Sequence, residues 1–109
     1  MRVPRETPQG RVSDMVVGTL QMRLVLREAL SLKDKRRIVK SLCDRIRHRF
    51  NVSISEVDMQ DQRQQALLGV AFATSDHQFA DQVLAKVVDL VRQTPGSGLV
   101  DYETELFED

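Results

Sequence analysis

From Val16 to Leu26 the chain alternates with a period of two. One set of positions reads Val16, Gly18, Leu20, Met22, Leu24 and Leu26, and the other reads Val17, Thr19, Gln21, Arg23 and Val25. Successive side chains on a strand point to opposite faces, so this predicts a long strand with one buried side. Ser31-Leu32-Lys33-Asp34 then carries a helix-start signal: the serine oxygen can accept from the Asp34 amide, and the Asp34 carboxylate sits near the positive end of the helix dipole. Beyond it Ile38, Val39, Leu42, Cys43, Ile46 and Phe50 fall within an arc of about 140° at helical spacing, which predicts a first helix over about residues 33–49, with Asn51 as its stop.

Val52-Ser53-Ile54-Ser55-Glu56-Val57 alternates for four residues and then shifts phase, the mark of a short strand with a bulge. Met59 to Gln65 is a polar connection. Ala66 to Thr74 is apolar throughout, with Leu68, Val70 and Phe72 on one face and Gly69, Ala71 and Ala73 on the other, which suits a central strand. Ser75-Asp76-His77-Gln78 is a second capping signal, opening a helix to about Thr94 that buries Phe79, Ala80, Val83, Leu84, Val87, Leu90 and Val91. Pro95-Gly96-Ser97-Gly98 ends that helix. A last strand follows from Leu99 to Leu106, setting Val100, Tyr102, Thr104 and Leu106 against Asp101, Glu103 and Glu105.

The order βαββαβ, with right-handed crossovers, predicts an α+β ferredoxin-like sandwich: a four-stranded antiparallel sheet with both helices on one face. Order alone leaves a different α+β sandwich as the rival topology. The 109 residues make one domain over 15–107, large enough to fold without disulfides or metal. Residues 1–14 hold two prolines, five charges and few apolar side chains, and are expected to form a mobile extension.

Charge changes the picture more than composition does. The net charge is zero, yet residues 1–52 carry 13 Lys and Arg against 5 Asp and Glu, and residues 53–109 carry 3 against 11. Eight of the 16 basic residues lie between Lys33 and Arg49, opposed only by Asp34 and Asp44. On a helical wheel Lys33, Arg36, Lys40 and Arg47 fall within about 60° of one another, opposite the apolar arc, and Arg37 extends the stripe. Such a stripe can neutralise a row of phosphates, and Arg offers bidentate donors for them. A solvated helix face accounts for the same pattern, so both readings stay open. Sequence-specific readout is not indicated, because four Phe, one Tyr and no Trp supply no stacking platform on the strands.

Other chemistry is thinly represented. Asp58 and Asp61 stand three residues apart at a strand end, where a polar turn explains them better than a cation site. His48 and His77 are read as exposed side chains with no Cys or acid at ligand spacing. Neither a nucleophile elbow nor a phosphate-binding or dinucleotide glycine loop occurs, so the expectation is a protein that is not an enzyme, with no cofactor, metal or small-molecule ligand. The lone Cys43 is expected to be a buried thiol. It fits a reducing compartment, and no apolar run approaches the ~20 residues of a membrane helix, so a cytoplasmic protein is expected. On the sheet face away from the helices, Val17, Thr19, Val25, Leu67, Gly69, Ala71 and Ala73 form a small apolar surface, a candidate self-association or protein-binding interface.

Ser31-Leu32-Lys33-Asp34-Lys35-Arg36, the Phe50-Asn51-Val52 junction, and Glu56-Val57-Asp58-Met59-Gln60-Asp61 together resemble the YlxP-like family of small bacterial proteins, over about residues 15 to 106. The resemblance implies a ferredoxin-like fold, a usual start corresponding to Met15, and no catalytic residues to carry over. It also implies a role near translation, since family members are often encoded beside ribosome-binding factor A and related factors. The expected partner is therefore ribosomal or other structured RNA, with a homodimer as the alternative association. Arg63 stands where the family often has an aromatic residue.

Overall fold

The computed structural model describes residues 14–108. The expectation of a mobile extension over residues 1–14 falls, apart from exposed Asp14, outside the described residues. Six elements follow in order: β1 (Val16–Val25), α1 (Leu32–Arg49), β2 (Ser53–Asp58), β3 (Gln65–Thr74), α2 (His77–Gln93) and β4 (Leu99–Glu108). The strands form one antiparallel sheet in the order β2-β3-β1-β4, the ferredoxin-like arrangement. Its helix-facing side and the apolar arcs of α1 and α2 close a single core that includes Leu20, Met22, Leu24, Ile46, Leu68, Val87 and Val91. α1 lies over β2, and α2 over β1, β3 and β4.

Local chemistry sets the ends of the helices. Ser31 caps α1, its Oγ accepting from the Asp34 amide at 3.0 Å, while Asp34 Oδ2 accepts from the Leu30 amide at 3.1 Å. The second helix starts one residue later than its sequence signal indicates. Asp76, not Ser75, is the cap, with its carboxylate accepting from Phe79 N at 3.1 Å. The α2–β4 turn needs a left-handed backbone at Gly98, where φ is +61° and its carbonyl accepts from Val25 N at 2.9 Å.

Two burial expectations are corrected. Phe79 is 51% exposed, because it stands at the rim of the apolar arc, in the first turn of α2. The β4 side chains Val100, Tyr102 and Thr104 are also exposed: Val100 is the extra residue between the Leu24–Leu99 and Arg23–Asp101 pairs and falls out of the alternation, while Tyr102 and Thr104 lie on a sheet edge largely beyond the cover of α2. The predicted bulge in β2 is present, since Glu56 pairs with Leu68 and Asp58 with Leu67, leaving Val57 without an opposite residue. Cys43 is buried, and desolvation pushes its thiol pKa up.

Candidate nucleic-acid interface

The outward face of α1 carries Lys33, Arg36, Arg37, Lys40 and Arg47, all exposed as the wheel predicts. Three of the five have acidic neighbours, and these come from the same helix. Arg37 Nη2 meets Asp34 Oδ1 at 2.8 Å, Lys40 Nζ meets Asp44 Oδ2 at 2.8 Å, and Arg47 Nη1 meets Asp44 Oδ1 at 3.2 Å. Arg47 is further tied down, since its Nη2 donates to the Ile54 carbonyl of β2 at 2.7 Å. Hydrogen bonding from Lys40, then the charges of Lys40 and Arg47, hold the Asp44 carboxyl below its ordinary value of 3.8. Asp44 therefore stays ionised at neutral pH and offsets part of the stripe. Among the described residues Lys33 and Arg36 have no acidic partner.

The acidic C-terminal half does not quench this face. Glu56, Asp58 and Asp61 lie on β2 and its connection beside α1, where Glu56 pairs with buried Lys35 and not with the stripe, while the other described carboxylates of this half lie on α2, its cap and β4, toward the opposite edge of the sheet. The polarity of the sequence is thus a polarity of the folded molecule, with a basic flank at α1 and an acidic one at β4. Exposed ion pairs along a helix are weak and salt-sensitive, so a phosphate can displace Asp34 or Asp44 from their arginine and lysine partners.

Arg45 is a member of this surface that the wheel argument passed over. It lines a shallow depression with Arg37, Lys40, Ser41 and His48, and with Arg37 it borders a groove against Thr94 and Pro95 of the α2–β4 turn. Its position, about 80° round the helix from Arg37, was the available signal. At the helix end Arg47, His48 and Arg49 complement the negative pole of the dipole, and the Arg49 guanidinium stands 5.8 Å from the Phe50 ring centroid.

Lys35 belongs to none of this. It is 1% exposed, its ammonium 2.6 Å from Glu56 Oε2 and donating to the Met59 carbonyl at 2.5 Å. At helical spacing Lys35 lies about 20° from both Leu42 and Ile46, in the middle of the apolar arc, a signal not used in the sequence reading. The pair joins α1 to β2, and the bond to the Met59 carbonyl reaches the β2–β3 connection, where Met59 takes a positive φ of 66° and Asp58 Oδ1 accepts from Met59 N at 2.7 Å. Gln60 Nε2 donates to the Glu56 carbonyl at 3.4 Å. Asp58 and Asp61 are exposed in this turn, and no group of three His, Cys, Asp or Glu among the described residues could hold a metal ion.

His48 and His77 are exposed, but His77 is not without acids. Its Nδ1 lies 3.0 Å from Glu108 Oε1 and its Nε2 3.6 Å from Asp81 Oδ2, one turn along α2. The hydrogen bond and charge of Glu108 raise the imidazole pKa above 6.5.

The residues of the second candidate surface share one face of the sheet. Cross-strand partners bring Ala73 beside Val17, Ala71 beside Thr19, Leu67 beside Arg23, and Gln65 beside Val25 on the sheet face away from the helices. The structure adds Val57, whose Cγ1 fills the space where a side chain at Gly69 would begin, and Phe107, the partner of Val17 on β4.

The class this geometry defines is a ferredoxin-like α+β domain with one basic helix on its outside. Residues 17–104 match the family described as "Protein of unknown function (DUF503)", and the chain belongs to that family. It is 30% identical over 92 residues to the uncharacterized protein YlxP of Bacillus subtilis, which covers 84% of this chain and all of that one. Among solved structures, the de novo designed protein Foldit4 superposes with a TM-score of 0.50 at 13% identity, over 87% of this chain and 96% of the design, a likeness of fold alone. No helix among the described residues is long and apolar enough to cross a membrane.

Proposed function

We propose that this protein is a non-enzymatic, cytoplasmic accessory factor that associates with ribosomal or other structured RNA through the outward face of α1. The observation that carries the reading is the state of the stripe. Lys33 and Arg36 point outward without acidic partners among the described residues, and Arg37 and Lys40 are held only by exposed acids of their own helix. Phosphate contact along such a face is electrostatic and reads shape instead of bases.

Co-sedimentation with ribosomal subunits across a salt series tests it. Binding is expected at low salt, with affinity falling steeply as salt rises and lost on charge reversal at Arg36 and Lys40. Affinity indifferent to both salt and charge reversal removes the proposal.

A second reading, self-association through the open sheet face, is favoured by Val57 and Phe107, which add two large exposed apolar side chains to the predicted patch. Sedimentation equilibrium decides it: a strict monomer at high concentration counts against the dimer.

A further inference from the structure

The two edges of the sheet are built differently. β2 is six residues long, bulged at Val57, and carries Ser53 and Ser55 toward the open face. Short, bulged edges resist further pairing. β4 is ten residues long, and apart from the register shift beside Leu24 it pairs regularly with β1, leaving its other side free. A free edge of this kind offers backbone donors and acceptors to an added strand.

Side chains on this edge describe the strand that would fit. Toward the open face stand Asp101, Glu103 and Glu105, opposite Arg23, Gln21 and Thr19 of β1, and none of the three acids has an ion-pair partner among the described residues. Toward the helices, Tyr102 and Thr104 form one wall of a groove whose other wall is α2, with Leu84, Ala85 and Val88 along it and Asp81, Asp89 and Arg92 beside them. Tyr102 remains 43% exposed there, with the Arg92 guanidinium 5.2 Å from its ring centroid. A neighbouring strand would therefore meet acids at alternate positions on one side, and at the positions between a groove with an apolar floor of Leu84, Ala85 and Val88 and a charged margin of Asp81, Asp89 and Arg92.

We propose that the β4 edge is a docking site for an extended segment of another protein, in which basic residues alternate with apolar ones, added as a fifth strand. Its cations would lie beside Asp101, Glu103 and Glu105, and its apolar side chains would cover Tyr102 and enter the groove along α2. Charge disfavours a second copy as the occupant. Two β4 strands paired antiparallel about Thr104 would set Glu103 directly against Glu105 of the other copy, and like charges directly opposite are destabilising. The site lies away from the α1 face and does not depend on what that face binds.

The test uses a ten-residue peptide alternating lysine and valine, followed by backbone amide shifts of the full chain. Saturable shifts are expected along β4 and the groove side of α2, and none on β2. The Glu103→Lys/Glu105→Lys variant changes only exposed side chains, and should weaken binding at least about tenfold. The same peptide N-methylated at alternate residues keeps its charge but cannot complete the ladder, and should also lose about tenfold or more. Absence of binding at millimolar peptide overturns the proposal. So does equal binding by the N-methylated peptide, which indicates charge attraction alone, and so do concentration-dependent β4 shifts without peptide, which indicate self-pairing.

Discussion

The ammonium of Lys35 lies 2.6 Å from the carboxylate of Glu56, fastening the first helix to the strand beneath it at a point sealed from solvent on the lysine side. The two ends of this pair are unequal. Lys35 is wholly enclosed, whereas the Glu56 side chain retains 18% of its exposure. Removing one member of a buried pair strands the other, and the enclosed charge suffers more. Glu56→Gln is therefore expected to destabilise the protein by about 3 kcal/mol, and Lys35→Met by clearly less, in urea unfolding. The reverse order would show that the Met59 carbonyl, not the carboxylate, is the lysine's main partner.

Asp44 restrains the basic stripe by holding Lys40 and Arg47 at once. Asp44→Asn releases both cations without removing a contact to RNA. Affinity for structured RNA at low salt should rise by roughly threefold or more and its salt dependence should steepen. An unchanged affinity would place the phosphate contacts away from this turn of α1.

Two glycines in the α2–β4 turn separate conformational strain from steric collision. A Cβ at Gly98 would lie 1.9 Å from the Val25 carbonyl oxygen, whereas one at Gly96, where φ is +79°, would meet nothing closer than 3.9 Å. Gly96→Ala is expected to cost about 1 kcal/mol for its left-handed backbone, and Gly98→Ala at least about 2 kcal/mol more as the turn shifts off β1. Thermal unfolding of the two variants side by side provides the comparison.

The His77 contact with Glu108 makes a small part of the stability depend on pH. The folded pKa is raised above 6.5, so the charged form is the one favoured by folding. Its contribution is fully present below the unfolded value and is lost as pH rises through the folded one. The stability difference between the native chain and His77→Gln should therefore be largest in mildly acidic solution and fade above neutrality. Glu108→Gln should return the His77 midpoint, followed by NMR, toward 6.5.

What the sequence disclosed was largely local. The period-two run of β1, the serine cap of α1 and the phase shift at Val57 each involve neighbours within a few residues, and each reappears in the fold. Lys35 shows where such reading falters. Its angle on the helix lies in the middle of the apolar arc, yet it was counted only as one of eight basic residues, because its partner Glu56 lies 21 residues away across a loop. The His77–Glu108 contact spans 31 residues and leaves no periodic trace. Burial at the sheet margin was overestimated because alternation in β4 reports which way Tyr102 and Thr104 point, not whether a helix reaches over them, and it does not show the irregularity that skips Val100. Within the candidate interface, helical geometry indicated the exposed face that the five cations share, while the restraint by Asp44 and the tether from Arg47 to the Ile54 carbonyl depend on three-dimensional packing.

The strand order β2-β3-β1-β4 also governs when the fold can close. β3 sits between β1 and β2, so a growing chain that has emerged only as far as Asp58 holds two strands with no common neighbour to join them. Until Thr74 has left the exit channel, Lys35 and Glu56 have no sheet to bring them together. The sheet of the amino-terminal half is joined only once the middle of its own message has been read.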